Sequence, residues 1–314
     1  MEHFATLFDR TFLPQGLALI YSLQRQVKHC KLWIICMDED SFSFLSKKAF
    51  PFITCLRISE LETVALKSVK ETRSKGEYCW TVTPFVPRFI FDQDDSVNRV
   101  TYLDSDLWFL QDPSLIFEEF AESGKSVLIT EHAYAPEYEM SGKFGKYCVQ
   151  FMIFERYGSE EVRAWWESRC LEWCYNRFED GKFGDQMYLD RFEDLFDGNV
   201  HVLQSKEYAL APWNASVFDY RKAVFYHFHS VRLLNDKKIH LGVYELPVCV
   251  HDNIYCPYYL DLCEAMREIH ASGLQVFKQT SLYFVLRTSL KRLAYFIRMK
   301  SFKIVMVESL SGKS

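Results

Sequence analysis

The 314-residue chain lacks most of the marks that would place a protein outside the cytosol or among nucleic-acid binders. Its ten cysteines form no CxxC pair. Cys170 and Cys174, four residues apart, suit one helix face, and the set reads as buried free thiols in a reducing compartment rather than a disulfide framework or zinc site. No stretch approaches about eighteen uninterrupted apolar residues, so no helical membrane span is expected. Met1 leads directly into Glu2-His3-Phe4-Ala5-Thr6-Leu7-Phe8, with no basic segment ahead of a long apolar run. No signal peptide is therefore expected, and the expected location is cytoplasmic. Internal repeats and low-complexity linkers are missing too, and no domain boundary is marked before about residue 274.

What is present is the composition of a globular protein, 49% hydrophobic and 25% charged, with an aromatic share of 17% that suggests a large core and some ring-lined surface. Charge is uneven. From Lys278 to Lys313 eight Lys or Arg face one acid, Glu308, a net +7, so the body carries −12 of the total −5. An acidic body excludes a general nucleic-acid binder, whose phosphate contacts need a basic face.

Apolar patterning predicts strands at 4–9, 32–37, 52–56 and 99–103, and helices over 16–23 and 80–91, the latter despite Pro84 and Pro87. Such alternation belongs to the α/β class, with a mostly parallel sheet whose ligands lie beyond the strands' carboxyl ends, where Asp9, Asp38, Asp104 and Asp106 fall. Farther on, strands are expected at 126–130, 149–155, 200–203 and 224–228, and an aromatic helix over 159–178.

Three short segments carry chemistry. In Val100-Thr101-Tyr102-Leu103-Asp104-Ser105-Asp106-Leu107-Trp108-Phe109, two acids one residue apart end a hydrophobic strand. Alternation at a strand end puts both carboxylates on one side, able to hold one divalent cation. Mg²⁺ or Mn²⁺ held there would neutralise a diphosphate as a sugar bond to it breaks. Gly184-Asp185-Gln186-Met187-Tyr188-Leu189 reads as a helix start, for which Asp185 is a natural cap. Phe225-Tyr226-His227-Phe228-His229-Ser230 is another strand end, with His227 and His229 on one face as alternative ligands.

In this order the segments resemble GT-A glycosyltransferases, family 8 in particular. The resemblance implies a GT-A nucleotide-diphospho-sugar transferase fold over residues 1–274 and a metal site of Asp104, Asp106 and a histidine, His227 by spacing. It also implies that Asp185 binds donor-sugar hydroxyls, with Gln186 near the anomeric carbon. Asp9 stands where family 8 members contact the base, which implies a UDP-sugar or another pyrimidine donor, with Thr6 and Ser105 on the donor side. Glu77-Tyr78-Cys79-Trp80-Thr81, Gly181-Lys182-Phe183-Gly184-Asp185-Gln186 and Ala211-Pro212-Trp213-Asn214 extend a closer resemblance to a bacterial group of sugar transferases across roughly residues 4–265.

Two positions depart from family 8. Tyr147-Cys148-Val149-Gln150 stands where those enzymes have Phe-Asn-x-Gly, and Val231-Arg232-Leu233-Leu234 replaces a Lys-Pro-Trp after the histidine. Phosphate contacts must then come from elsewhere, with Arg73, Lys75 and Arg232 as candidates. A haloacid dehalogenase-type phosphatase also places two aspartates after a strand, but near the amino terminus and before a threonine or valine, not before Leu107-Trp108.

The expected activity is transfer of a sugar to a glycan or lipid-linked acceptor hydroxyl, for which the resemblance implies retention and a place in bacterial surface polysaccharide synthesis. The alternative is a catalytically silent sugar-nucleotide-binding scaffold on the same fold. Residues 275–314 are expected to form a basic amphipathic helical tail. Leu282, Val285, Leu286, Leu290, Leu293, Phe296 and Ile297 recur at helical spacing, with Arg287, Lys291 and Arg298 on a neighbouring stripe. Such a tail either rests on an anionic membrane as a peripheral contact or packs on the main domain. Liposome flotation separates the two. The membrane reading predicts that the full chain floats with anionic liposomes at low salt, and that a chain ending near Gly273 does not.

Overall fold

The computed structural model describes residues 1–48, 50–235 and 238–277, together with the backbone of 304–306. The apolar runs of the first half become β1 (Glu2–Phe8), β2 (Cys30–Cys36), β3 (Ile53–Arg57) and β4 (Arg99–Leu103). A three-residue strand β5 (Leu107–Phe109) precedes β6 (Val127–Glu131), β7 (Tyr147–Glu155) and β8 (Val200–Val202). One seven-stranded sheet takes the order β3-β2-β1-β4-β7-β6-β8, and only β7 runs against its neighbours. This is the mostly parallel α/β sheet expected from the alternation.

Side chains one residue apart enter opposite cores. Phe4, Phe8, Ile34, Leu103 and Ile153 fill one, while Ala5, Leu7, Ile35, Tyr102 and Phe154 fill the other. Each fully buried Leu, Ile or Phe contributes about 1.5–3 kcal/mol. A one-residue slip would exchange the two sets, so burial fixes the register.

The helix Leu13–Gln26 covers the first core, with Pro14 in its first turn, where a missing N–H costs nothing, and Leu13, Leu17, Ile20 and Leu23 facing inward. It packs on the helix Cys256–Ala271, which the patterning did not bring out. Asp261 of that helix accepts both Arg25 guanidinium nitrogens, at 3.1 and 2.5 Å, and the Trp108 indole N–H at 2.7 Å. One carboxylate thereby ties both helices to β5.

Several elements differ from the sequence expectation. The stretch 80–91 is not one helix: Pro84 and Pro87 divide it into Lys75–Val82, a 3-10 turn Thr83–Phe85 and Val86–Gln93, each proline lying in a first turn. The aromatic helix is Glu160–Glu172, shorter than 159–178, because Trp173 turns extended and the chain folds back until Gly184 N–H reaches the Tyr175 carbonyl. A small sheet joins β5 to β9 (Ala209–Leu210) and β10 (Phe225–His227). Another combines β11 (Arg232–Asn235), β12 (Lys238–His240) and β13 (Ile304–Met306). The last of these is extended, where the tail was expected to be helical, because its backbone pairs with β12. The rest of the expected tail, from residue 278, lies outside the described residues.

Gly16 marks how closely the first helix approaches the end of β1. A Cβ there would lie 2.5–2.9 Å from the Phe8 ring, itself 2% exposed. Gly16→Ala should lower the free energy of unfolding by about 1–3 kcal/mol through overpacking, measured by denaturant titration.

Candidate active site

β1 pairs with β2 on one side and with β4 on the other, so strand order reverses between β1 and β4. In an open α/β sheet the crevice beyond the strand ends at such a switch point is where ligands bind. Asp9 follows β1 there, and Asp104 follows β4.

Asp104-Ser105-Asp106 is a turn between β4 and β5, not the extended strand end expected from alternation. The carboxylates converge because the chain bends: Asp104 N–H donates to the Gln150 carbonyl at 2.9 Å, and Leu107 N–H donates to the Asp104 carbonyl at 3.2 Å. Antiparallel pairing sets His227 opposite Leu107, and Phe228 N–H donates to the Asp106 carbonyl at 2.9 Å. His227 Nε2 thus lies 3.1 Å from Asp106 and 3.8 Å from Asp104. The three potential ligand atoms all fall within 4.8 Å of one another.

Electrostatics follow from this crowding. Burial pushes the Asp104 carboxyl up to about 6, with repulsion from Asp106 adding and attraction to His227 opposing. Burial would also raise Asp106, but the charge and hydrogen bond of His227, with Arg232 beyond, outweigh it and hold Asp106 below the usual carboxylate range. His227 is displaced the other way: burial disfavours its cation, yet Asp106 raises it well above an ordinary histidine. Its other ring nitrogen, Nδ1, lies 2.8 Å from Gln150 Oε1, and the Trp213 ring meets its ring edge-on at 5.3 Å. His229 stands apart from the trio, with its Nδ1 3.3 Å from the Tyr244 hydroxyl. The structure therefore places His227, and not His229, with the two acids.

Asp185 is brought in from mid-chain. A capping box of Ser74 and Glu77 starts the helix Lys75–Val82, and the other Glu77 oxygen accepts Asn176 N–H at 2.8 Å. Trp80 on that helix packs against Phe183, and Gly184 beside its ring adopts φ +54°, a left-handed conformation that favours glycine. Asp185 follows, 5% exposed, and makes no side-chain cap to Gln186–Arg191. Burial, then the Asp104 charge, raises its carboxyl well above the ordinary value. Burial raises the Cys79 thiol to about 12, with the Asp9 and Asp185 charges adding and Lys75 opposing.

Other candidates have different surroundings. The Gln186 amide donates to the Phe144 carbonyl at 2.6 Å. Thr6 is fully buried with its hydroxyl unpartnered, and Asp9 accepts Thr11 N–H at 2.8 Å. Asp38 is taken up by Arg10 N–H and by Ser41. Arg73 stacks over Tyr175 and donates to the Leu171 carbonyl, a packing role away from the trio. Arg232 is exposed, passes over Phe12 and lowers the Asp106 carboxyl by its charge. Ser105 sits in the turn itself. Sequence reasoning missed Gln150 as a partner of His227; a lone amide in the apolar run of β7 was the available signal.

No family model matches the chain. YfnF of Bacillus subtilis (strain 168), an uncharacterized protein, is 32% identical over 256 residues, which cover 75% of this chain and 84% of YfnF. The chain belongs to the YfnF family. YfnD of the same organism, also uncharacterized, is 27% identical over 293 residues, covering 86% of this chain and 91% of its own. Among solved structures, the mouse xyloside xylosyltransferase 1 apo form superposes with TM-score 0.51 at 14% identity, covering 73% of this chain and 97% of that one. The bifunctional glycosyltransferase WbbM gives 0.53 at 13%, over 88% of this chain and 52% of its own. GlyE of Streptococcus pneumoniae TIGR4 gives 0.50 at 15%, over 89% and 66%. At these identities the likeness establishes the fold: this YfnF-family chain has the GT-A glycosyltransferase architecture.

The His227–Asp106 pair predicts a pH dependence of stability. A raised histidine contributes stability that is complete below its unfolded value, about 6.5, and is lost as pH rises through the folded value. The depressed Asp106 contributes above its unfolded value, about 3.9, and loses that contribution as pH falls toward the folded one. The destabilisation caused by His227→Ala should therefore be largest between these unfolded values. It should shrink as pH rises beyond the upper one, as read from urea unfolding of both proteins in metal-free buffer.

Proposed function

We propose that the chain is a metal-dependent glycosyltransferase. It takes a sugar from a nucleoside diphosphate donor, a UDP-sugar by preference, and passes it to a glycan or lipid-linked acceptor hydroxyl with retention at the anomeric carbon. The convergence of Asp104, Asp106 and His227 at the switch point of a GT-A sheet carries the reading. Two carboxylates and one imidazole are hard and borderline donors that suit Mn²⁺ or Mg²⁺, and three protein ligands are fewer than such an ion takes. When bound, the ion offsets charge building on the departing diphosphate.

The chain's own residues supply the rest. Asp9 and Thr6 border the nucleotide, and Ser105, Arg232 and Lys75 face the diphosphate. Asp185, whose carboxyl is raised by burial and by the Asp104 charge, meets the donor-sugar hydroxyls, with Gln186 next to it in sequence. Trp213, edge-on to His227, also packs on Tyr134, which lines a cavity of about 370 Å³ with Glu139, Lys146, Lys206 and Phe218 and so offers an acceptor room. Fixed donors and acceptors in a water-poor crevice hold the reacting groups in line. No helix among the described residues is long and apolar enough to cross a membrane. In this reading the basic segment 275–314, set apart from the catalytic stretch 1–274 by its charge, draws the enzyme to the inner face of the plasma membrane, where surface polysaccharides are assembled.

Thermal shift against a panel of nucleotide sugars with and without Mn²⁺ identifies the donor, and calorimetry then tests the site. Asp104→Ala and Asp106→Ala should each abolish metal-dependent donor binding while retaining the fold. Slow donor hydrolysis without acceptor should accompany binding in the unmodified chain. Unchanged metal-dependent affinity in both variants removes the metal role, and binding with no hydrolysis under any condition points to a silent scaffold.

A further inference from the structure

β7 is apolar from Tyr147 to Phe154 except at Gln150, which is fully buried. An amide in that position is strongly unfavourable unless its hydrogen bonds are met. Here they are. Oε1 lies 2.8 Å from His227 Nδ1, Nε2 donates to Thr130 Oγ1 at 3.4 Å, and the backbone carbonyl accepts Asp104 N–H at 2.9 Å.

The amide's orientation follows from Thr130, whose hydroxyl proton goes to the Cys148 carbonyl at 3.4 Å. A reversed amide would set its oxygen against an oxygen with no proton left to give. With Oε1 toward the ring, Nδ1 holds a proton whether or not Nε2 does, and Nε2 is turned to Asp104 and Asp106, where a bound ion takes the place of any proton on it. Backbone and side chain of one residue therefore fix two of the three groups in the trio. Family 8 enzymes have glycine at this position by resemblance, which could supply the carbonyl but not the amide.

We propose that Gln150 is a positioning residue of the metal site, holding His227 as the Nδ1–H tautomer so that the Nε2 lone pair meets the ion. The inference rests on the metal reading above. Partners that orient a ligating histidine in this way are worth about 10–100-fold in metal affinity.

The test measures Mn²⁺ binding to the full chain without donor, from the free-ion EPR signal, for the unmodified chain, Gln150→Leu, Gln150→Glu and His227→Ala. Gln150→Leu should bind about 10–100-fold more weakly, and Gln150→Glu, which keeps an acceptor toward Nδ1–H, should restore most of the affinity. Ring ¹⁵N resonances of His227 in the Mg²⁺-loaded protein should show Nδ1 protonated in the unmodified chain and in Gln150→Glu. If Gln150→Leu binds as tightly as the unmodified chain while His227→Ala does not, the role of Gln150 is overturned and the metal site stands. If the unmodified chain does not bind Mn²⁺, the metal reading falls and this inference with it. Should Gln150→Leu fail to fold, weak binding by a folded Gln150→Glu overturns the role.

Discussion

Two carboxylates held within reach of one ion repel each other and resist burial, and the architecture around them answers that constraint. Asp104 and Asp106 sit in a turn at the crest of the sheet, and the chain supplies one basic partner, His227, from a strand more than a hundred residues away. For His227 to arrive, β10 must pair with β5 in the register that sets it opposite Leu107. For β5 to stay in place, Trp108 must be held, and the Asp261 carboxylate of the last described helix holds it while also gripping Arg25. The small sheet and that helix are therefore parts of the site's support.

The opposite wall depends on packing rather than charge. The capping box of Ser74 and Glu77, the extra bond from Glu77 to Asn176, and the packing of Phe183 on Trp80 carry the loop before Gln186 against the helix Lys75–Val82. That contact seats Asp185 in a buried position near Asp104, where ionisation is disfavoured. Two acids of one type are thus shifted in opposite directions by their surroundings. His227 lowers the Asp106 carboxyl, and burial raises that of Asp185.

Legibility followed range. Leu32 to Cys36 reads as a buried strand because an apolar run with polar ends is a local signal, and both faces of β2 are indeed covered. Asp104 and Asp106 were legible because one residue separates them, although the geometry that unites them is a turn and not an alternating strand. Pro84 and Pro87 were visible in the sequence, yet three short helices arose where one was expected, since each proline suits a first turn. Arg73 could not be told from a phosphate-binding cation until Tyr175 was seen beneath it.

By itself the sequence determined the class of fold, the ends of the parallel strands and the residue types offered for a metal and a sugar nucleotide, because these depend on neighbours a few residues apart. Tertiary structure decided which of His227 and His229 joins the acids and why the Asp185 carboxyl is raised. It also turned the departure at Gln150 into a partner for His227. Each of these is set by contacts between strands and loops distant in the chain, where strand register, burial and the sum of nearby charges are fixed only once the sheet has closed.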